Sequence, residues 1–279
     1  MNHAHPLGDY LRARRELVSP ESVGIQVSGL RRVAGLRREE VATLAGISSD
    51  YYLRLEQGRD RHPSVQVLEA LARVLQLDAN ATEYLLSLSR PRTRAASRPR
   101  RERVQVGIQQ LLEVIGLPAF VEGRYFDVLA SNPMARALSP TLQVGANRLR
   151  SVFLDPAERE LYPDWERDIV GLVARFRISV GTTTDDPRCV QLVGELSLAS
   201  EHFRRLWARH DVKIREGATT TIRHPEVGLL SLRREKLEIG ASDGQTLVLY
   251  HAESGTESAR SLGLLGSLAA SEHIVGLDP

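Results

Sequence analysis

The sequence predicts two domains: an all-α five-helix domain built around a helix-turn-helix over residues 1–88, and an α/β domain with an antiparallel sheet over 104–279. Three observations predict this. At 279 residues the chain is too long for one small helical bundle. Apolar residues recur at helical spacing as far as Leu88, whereas strand-like patterns crowd the second half. Between them, residues 89–103 read SRPRTRAASRPRRER, with seven Arg, two Pro and no large apolar side chain, so this stretch cannot bury surface and reads as an exposed linker.

The elements follow in order. Leu7 to Leu17 is a helix with Leu7, Tyr10 and Leu11 inward and Arg12, Arg14 and Arg15 outward. A long loop, Ser19 to Gly35, precedes LRREEVATLAGISSDYYLRLEQG, which spans Leu36 to Gly58. There Arg38 to Ala45 is a helix with Val41, Leu44 and Ala45 on one face, Gly46 supplies the freedom a tight turn needs, and Ser48 or Ser49 caps a second helix to about Gln57. Tyr52 and Leu55 fall on its inner face. Pro63-Ser64 opens a fourth helix, Val65 to Leu75, and Asn80 or Thr82 caps a fifth through Leu88.

Two short helices meeting at a glycine can present one of them across a DNA groove. Ser49, Asp50, Tyr51 and Arg54 point outward beside the cap Ser48 and are the candidates for base edges; Arg31, Arg32, Arg37, Arg38, Arg59 and Arg61 are candidates for phosphates. Charge agrees, because residues 1–103 hold 18 Arg, no Lys and 12 acids for a net +6, whereas 104–279 hold 19 basic and 23 acidic residues for −4. The competing reading is a helical bundle used for protein interaction without DNA. The order of apolar helix, Ala-Gly, Ser-capped helix and Leu55-Glu56-Gln57-Gly58 resembles the Cro/C1-type helix-turn-helix of the XRE regulators. Arg38 departs from the family's Gln near the start of the motif's first helix, a change that suits a phosphate contact.

The second domain opens with a helix bearing Val104, Ile108, Leu111, Leu112 and Ile115, then two strands, Ala119 to Val121 and Tyr125 to Ala130, then Ser131-Asn132-Pro133 and a short helix to Leu138. Asp164 to Arg177 is helical with Trp165, Ile169, Leu172, Val173 and Phe176 on one face, and Phe203, Leu206 and Trp207 share a face of a later helix. Strand patterns follow at 219–223, 227–233, 236–239 and 246–250, the last two joined across Ser242-Asp243-Gly244. The run LPAFVEGRYFDVLASNPMARAL, over 117–138, resembles the entry to a PAS-like sensor domain. With NRLRSVFLDP at 147–156, LYPDW at 161–165, Asp186-Pro187, LVGEL at 192–196, FRRLWARHDV at 203–212 and HPEVG at 224–228, it is similar to the ligand-binding domain of MmyB-like regulators. Ser131 stands where that family has Trp. The resemblance implies a small apolar, fatty-acid-like effector. The apolar faces themselves make Phe120, Trp165, Ile169, Val173, Phe176, Phe203 and Trp207 lining candidates, and Arg175, Arg177, Arg204 and Arg205, near those faces, candidates for a carboxylate.

Other classes fit poorly. Cys189 is the sole cysteine, so no intramolecular disulfide or Cys-based zinc finger exists. No apolar run approaches about 20 residues, and MNHAHPLGDY has no signal core, which points to a cytoplasmic protein at the bacterial nucleoid. Gly240 to Gly244 matches the G-x-S-x-G of serine hydrolases around Ser242, yet lies between strands as a hairpin turn would. No metal spacing or phosphate-cradling loop is present, and no cofactor is expected. The expectation is therefore a non-enzymatic, ligand-responsive transcription regulator. Specificity calls for a homodimer on a palindromic operator with half-sites ~34 Å apart, to which Ser258 to Ala270, with Leu262, Leu265 and Leu268, is a candidate contributor.

Overall fold

The computed structural model describes residues 5–26, 31, 33–60, 62–89, 102–181, 186–212 and 219–275. The chain forms two compact units: Met1–Ala96 with Val173–Ser197 and Glu201–Ile214, and Ser97–Leu172 with Leu198–Ser200 and Arg215–Pro279. This grouping differs from the expected continuous second domain over 104–279. Helical periodicity shows that a face is apolar but not which neighbour it covers.

In the N-terminal unit, α1 (Pro6–Leu17), α2 (Arg38–Ala45), α3 (Ser49–Glu56), α4 (Val65–Val74) and α5 (Ala79–Ser89) follow the expected order. Tyr10, Leu11, Leu36, Val41, Tyr52, Leu55, Leu68, Leu71 and Leu85 fill their common core. Two local readings need correction. Leu44 is 43% exposed, and Ala42 joins Val41 in the core instead. The cap of α5 is Asp78, whose Oδ1 accepts from the Ala81 amide at 2.9 Å, because a carboxylate one residue ahead of the helix reaches that amide directly.

Val212 is buried in the same core and Ile178 packs against it. They come with the second half of α10 (Trp165–Val180), with α11 (Pro187–Ala199) and with α12 (Glu201–Ala208). Arg14 of α1 donates to Asp211 at 2.8 Å, fastening the C-terminal end of α12 to the bundle.

The other unit contains α6 (Val106–Val114), β1 (Ala119–Glu122), β2 (Val128–Ser131), α7 (Pro133–Leu138), α8 (Arg148–Leu154), α9 (Pro156–Glu160), β3 (Thr219–His224), β4 (Gly228–Glu238), β5 (Thr246–His251) and α13 (Glu257–Val275). Its antiparallel sheet runs β2-β1-β5-β4-β3. Alternate residues of β1 and β5 serve opposite faces, as the pleat requires. Phe120, Val248 and Tyr250 join α7 and α13 residues in one core, whereas Ala119, Val121 and Leu247 meet Val104 and Leu112 in another. The strands read separately at 227–233 and 236–239 are one strand, β4, whose polar Arg234 and Glu235 sit opposite Tyr250 and Leu249 of β5 rather than in a turn.

Asn132 locks this unit's entry. Its Oδ1 accepts from the amides of Ala119 at 3.1 Å and Ala135 at 2.9 Å, and its Nδ2 donates to the carbonyls of Ile115 at 3.1 Å and Leu117 at 2.7 Å. All of its hydrogen-bonding groups are used, which joins helix α6, strand β1 and helix α7 at one side chain.

Candidate functional site

The α2–α3 pair is assembled by short-range chemistry. Gly46 ends α2 at φ 69°, a conformation that costs a glycine nothing, and Ser48 Oγ accepts from the Tyr51 amide at 3.1 Å to start α3. Tyr52 and Leu55 are buried below. Ser49, Asp50 and Arg54 are exposed above, with Tyr51 half-buried beside them. Asp50 and Arg54 form an ion pair one turn apart, and the Arg54 guanidinium lies 5.6 Å from the centre of the Tyr51 ring. The candidate base-reading residues thus share one outward face.

Of the candidates for phosphate, Arg37 and Arg59 are exposed, while Arg32 and Arg61 lie outside the described residues. Arg31 is held in both of its terminal nitrogens by Glu40, at 2.8 and 2.7 Å, and Glu40 also accepts from the Arg37 amide at 2.7 Å. Arg38 donates from Nε to Glu56 at 2.6 Å while remaining half-exposed.

Glu56 is the residue that sequence reasoning passed over. Its carboxylate is buried and receives Arg15 Nε of α1 as well as Arg38 of α2, each at 2.6 Å. Burial opposes its charge, but the hydrogen bonds from Arg15 and Arg38 outweigh that and hold its carboxyl below the usual glutamate range. Arg15, expected on the outer face, is buried for the same reason: Glu56 supplies the partner that makes a buried guanidinium tolerable. The available signal was phase, because Arg15 follows Leu7 and Leu11 at four-residue steps and Glu56 follows Tyr52.

The candidates for ligand contact fall in both units. Phe120, Trp165 and Ile169 are buried in the sheet-containing unit, where Trp165 Nε1 donates to the Val152 carbonyl at 3.0 Å. Val173, Phe176 and Phe203 are buried in the N-terminal unit, and Trp207 stacks on Phe203 with ring centres 5.8 Å apart. Trp207 also stands on the wall of a cavity of about 360 Å³ within that unit. Ser242 donates to the Ile239 carbonyl at 2.6 Å and accepts from the Gln245 amide at 3.1 Å, so its hydroxyl organises the β4–β5 turn. Among the described residues, no cluster of three or more His, Cys, Asp or Glu side chains is arranged to hold a metal, and no helix is long and apolar enough to cross a membrane.

Comparison with known families places both regions. Residues 6–85 match a helix-turn-helix domain, and residues 104–265 match the MmyB-like transcription regulator ligand binding domain. Among curated proteins, none matches the chain.

Proposed function

Because the chain belongs to the MmyB-like transcription regulators, with a helix-turn-helix ahead of the ligand-binding domain, we propose that α3 reads operator DNA and that a small apolar effector modulates this reading. The observation that carries the DNA reading is the exposed row Ser49, Asp50 and Arg54 over the buried Tyr52 and Leu55. These side chains, with Tyr51, enter the major groove. Arg37 and Arg59, together with Arg31, Arg32, Arg38 and Arg61, fix register on phosphates.

The protein acts as a homodimer on a palindromic operator. Exposed Leu264 and Leu268 on α13 support a pairing surface there, whereas Leu262 and Leu265 are spent on the unit's own core. The effector is fatty-acid-like and is sensed by the PAS-like domain, where the buried Phe120, Trp165 and Ile169 supply apolar surroundings.

Selection from random DNA followed by anisotropy titration tests the DNA reading. Affinity for the selected sequence falls about tenfold or more for each fourfold rise in salt if two or more phosphates are engaged. A flat salt response leaves the protein-interaction bundle as the better account. Arg54→Ala weakens the selected site by about 1–3 kcal/mol and relaxes one base position; equal losses on selected and random DNA would remove Arg54 from the base-reading set. Native mass spectrometry with organic extraction tests the effector class.

A further inference from the structure

Arg177 of α10, Val193 and Gly194 of α11, Trp207 of α12, His210 and Tyr84 of α5 surround the 360 Å³ cavity. Arg177 is 2% exposed. Its guanidinium lies 3.8 Å from the centre of the Trp207 ring, donates from Nη1 to His210 Nδ1 at 3.1 Å, and donates from Nη2 to the Trp207 carbonyl. Tyr84 stands on the same cavity wall. Every one of these partners is neutral, and Nε is buried with no acceptor among the described residues. Asp211, whose charge reaches Arg177, is taken up by Arg14 at 2.8 Å and Arg209 at 2.9 Å.

A buried cation with only neutral partners has given up its hydration without a counter-charge, and an anion restores the balance. Burial holds the Arg177 guanidinium below its ordinary pKa, against the opposing influence of Tyr84 and Asp211. His210 cannot supply the missing charge. Because a guanidinium only donates, His210 Nδ1 accepts and the ring proton sits on Nε2, which leaves a second donor beside the cavity.

The cavity wall also has room built into it. Gly194 lies inside α11, where glycine is the least favourable residue apart from proline, yet a Cβ at this position would meet nothing within 4 Å. The helix is weakened there and the space left open.

We infer that this cavity binds a compact organic monocarboxylate, an aromatic or short-chain acid of about ten to fifteen non-hydrogen atoms, with its carboxylate on Arg177 and its apolar body along Trp207 and Val193. Asp9, exposed on α1, is the acid on the lining and disfavours a second negative charge. The cavity shares α1 and α5 with the DNA-binding bundle, and α1 holds α3 through Arg15 and Glu56. Occupancy therefore bears on the recognition helix, a consequence that rests on the regulator reading above.

The test is calorimetric titration of the full chain with 2-naphthoate and with the neutral isostere 2-naphthamide, followed by titration of the selected DNA with and without naphthoate. Naphthoate binds at least tenfold more tightly than the amide. Arg177→Met removes this preference and Arg177→Lys restores part of it. Gly194→Phe fills the space while improving helix propensity, so it abolishes naphthoate binding in a protein that still folds. Equal binding of acid and amide, or unchanged binding in Gly194→Phe, overturns the site. Failure of naphthoate to bind a protein that still recognises its DNA sinks the site and leaves the regulator reading intact. Charge-dependent binding in a protein without DNA affinity does the reverse.

Discussion

Glu56 joins three helices electrostatically, because α1 and α2 each send it an arginine and it belongs to α3. Glu56→Ala would leave the buried Arg15 with only the Leu36 carbonyl at 2.9 Å and a longer contact to Glu16 at 3.8 Å, and costs about 3–5 kcal/mol of stability, measured by urea unfolding. Its lowered pKa fixes the sign of the acid response: the contribution is full above the ordinary glutamate value of about 4.3 and is lost as pH falls through the folded value. His210 titrates over a different window. Burial, with the charges of Arg177 and Arg14, pushes its pKa down to about 3, so below pH ~6.5 the unfolded chain takes up a proton that the folded one refuses. Stability then declines with acid by at most about 1.4 kcal/mol per pH unit from this site. His210→Asn, which tolerates the φ of 54° there, flattens that slope in unfolding curves collected from pH 7 to 4. Ser48, Gly46 and Asn132 were legible in the sequence because capping and turn chemistry act within three or four residues. Arg15 and Glu56 were legible only through their phase with Leu7, Leu11 and Tyr52, since a buried pair and a surface charge are written with the same letters.

At the scale of elements, α1 and α3 approach closely because Gly8 has no side chain. A Cβ there would lie 2.3 Å from the Glu56 carbonyl oxygen, with backbone on both sides of the clash. Gly8→Ala therefore destabilises the bundle by about 1–3 kcal/mol despite its gain in helix propensity, and thermal unfolding checks this. An alanine that left stability unchanged or raised it would show that α1 can slide away from α3. The positions of α1 to α4 followed from apolar spacing and capping residues. The length of β4 did not, because Arg234 and Glu235 interrupt its apolar pattern and their strand pairing with β5 is a long-range fact. The resemblance to regulators came through because its motifs are local runs of sequence. Arg177 and Trp207 were candidates from the sequence, but their meeting with Tyr84 and His210 was not legible, because it draws on three stretches far apart in the chain.

For the whole molecule, the N-terminal core is completed by residues more than a hundred positions away. Val212 is buried in it, Ile178 packs on it and Asp211 binds Arg14. A fragment of residues 1–96 consequently unfolds at lower denaturant than the same helices in the full chain, by about 2–4 kcal/mol from the lost burial of Val212 and its neighbours. Hydrogen exchange checks the location, with α1 and α5 amides losing protection in the fragment. The helix-turn-helix is therefore not a detachable head, and the net +6 of residues 1–103 is carried on a scaffold that borrows structure from the more acidic remainder. Cys189, on the cavity wall, is 1% exposed and is the chain's sole cysteine. A thiol reagent can reach that sulfur only when the wall parts, so its reaction rate is a clock for the breathing of this unit, already installed at one position with nothing to engineer away. An occupant that holds the wall shut slows the clock, and the same trace recorded on DNA reports whether binding at α3 is felt at the sulfur.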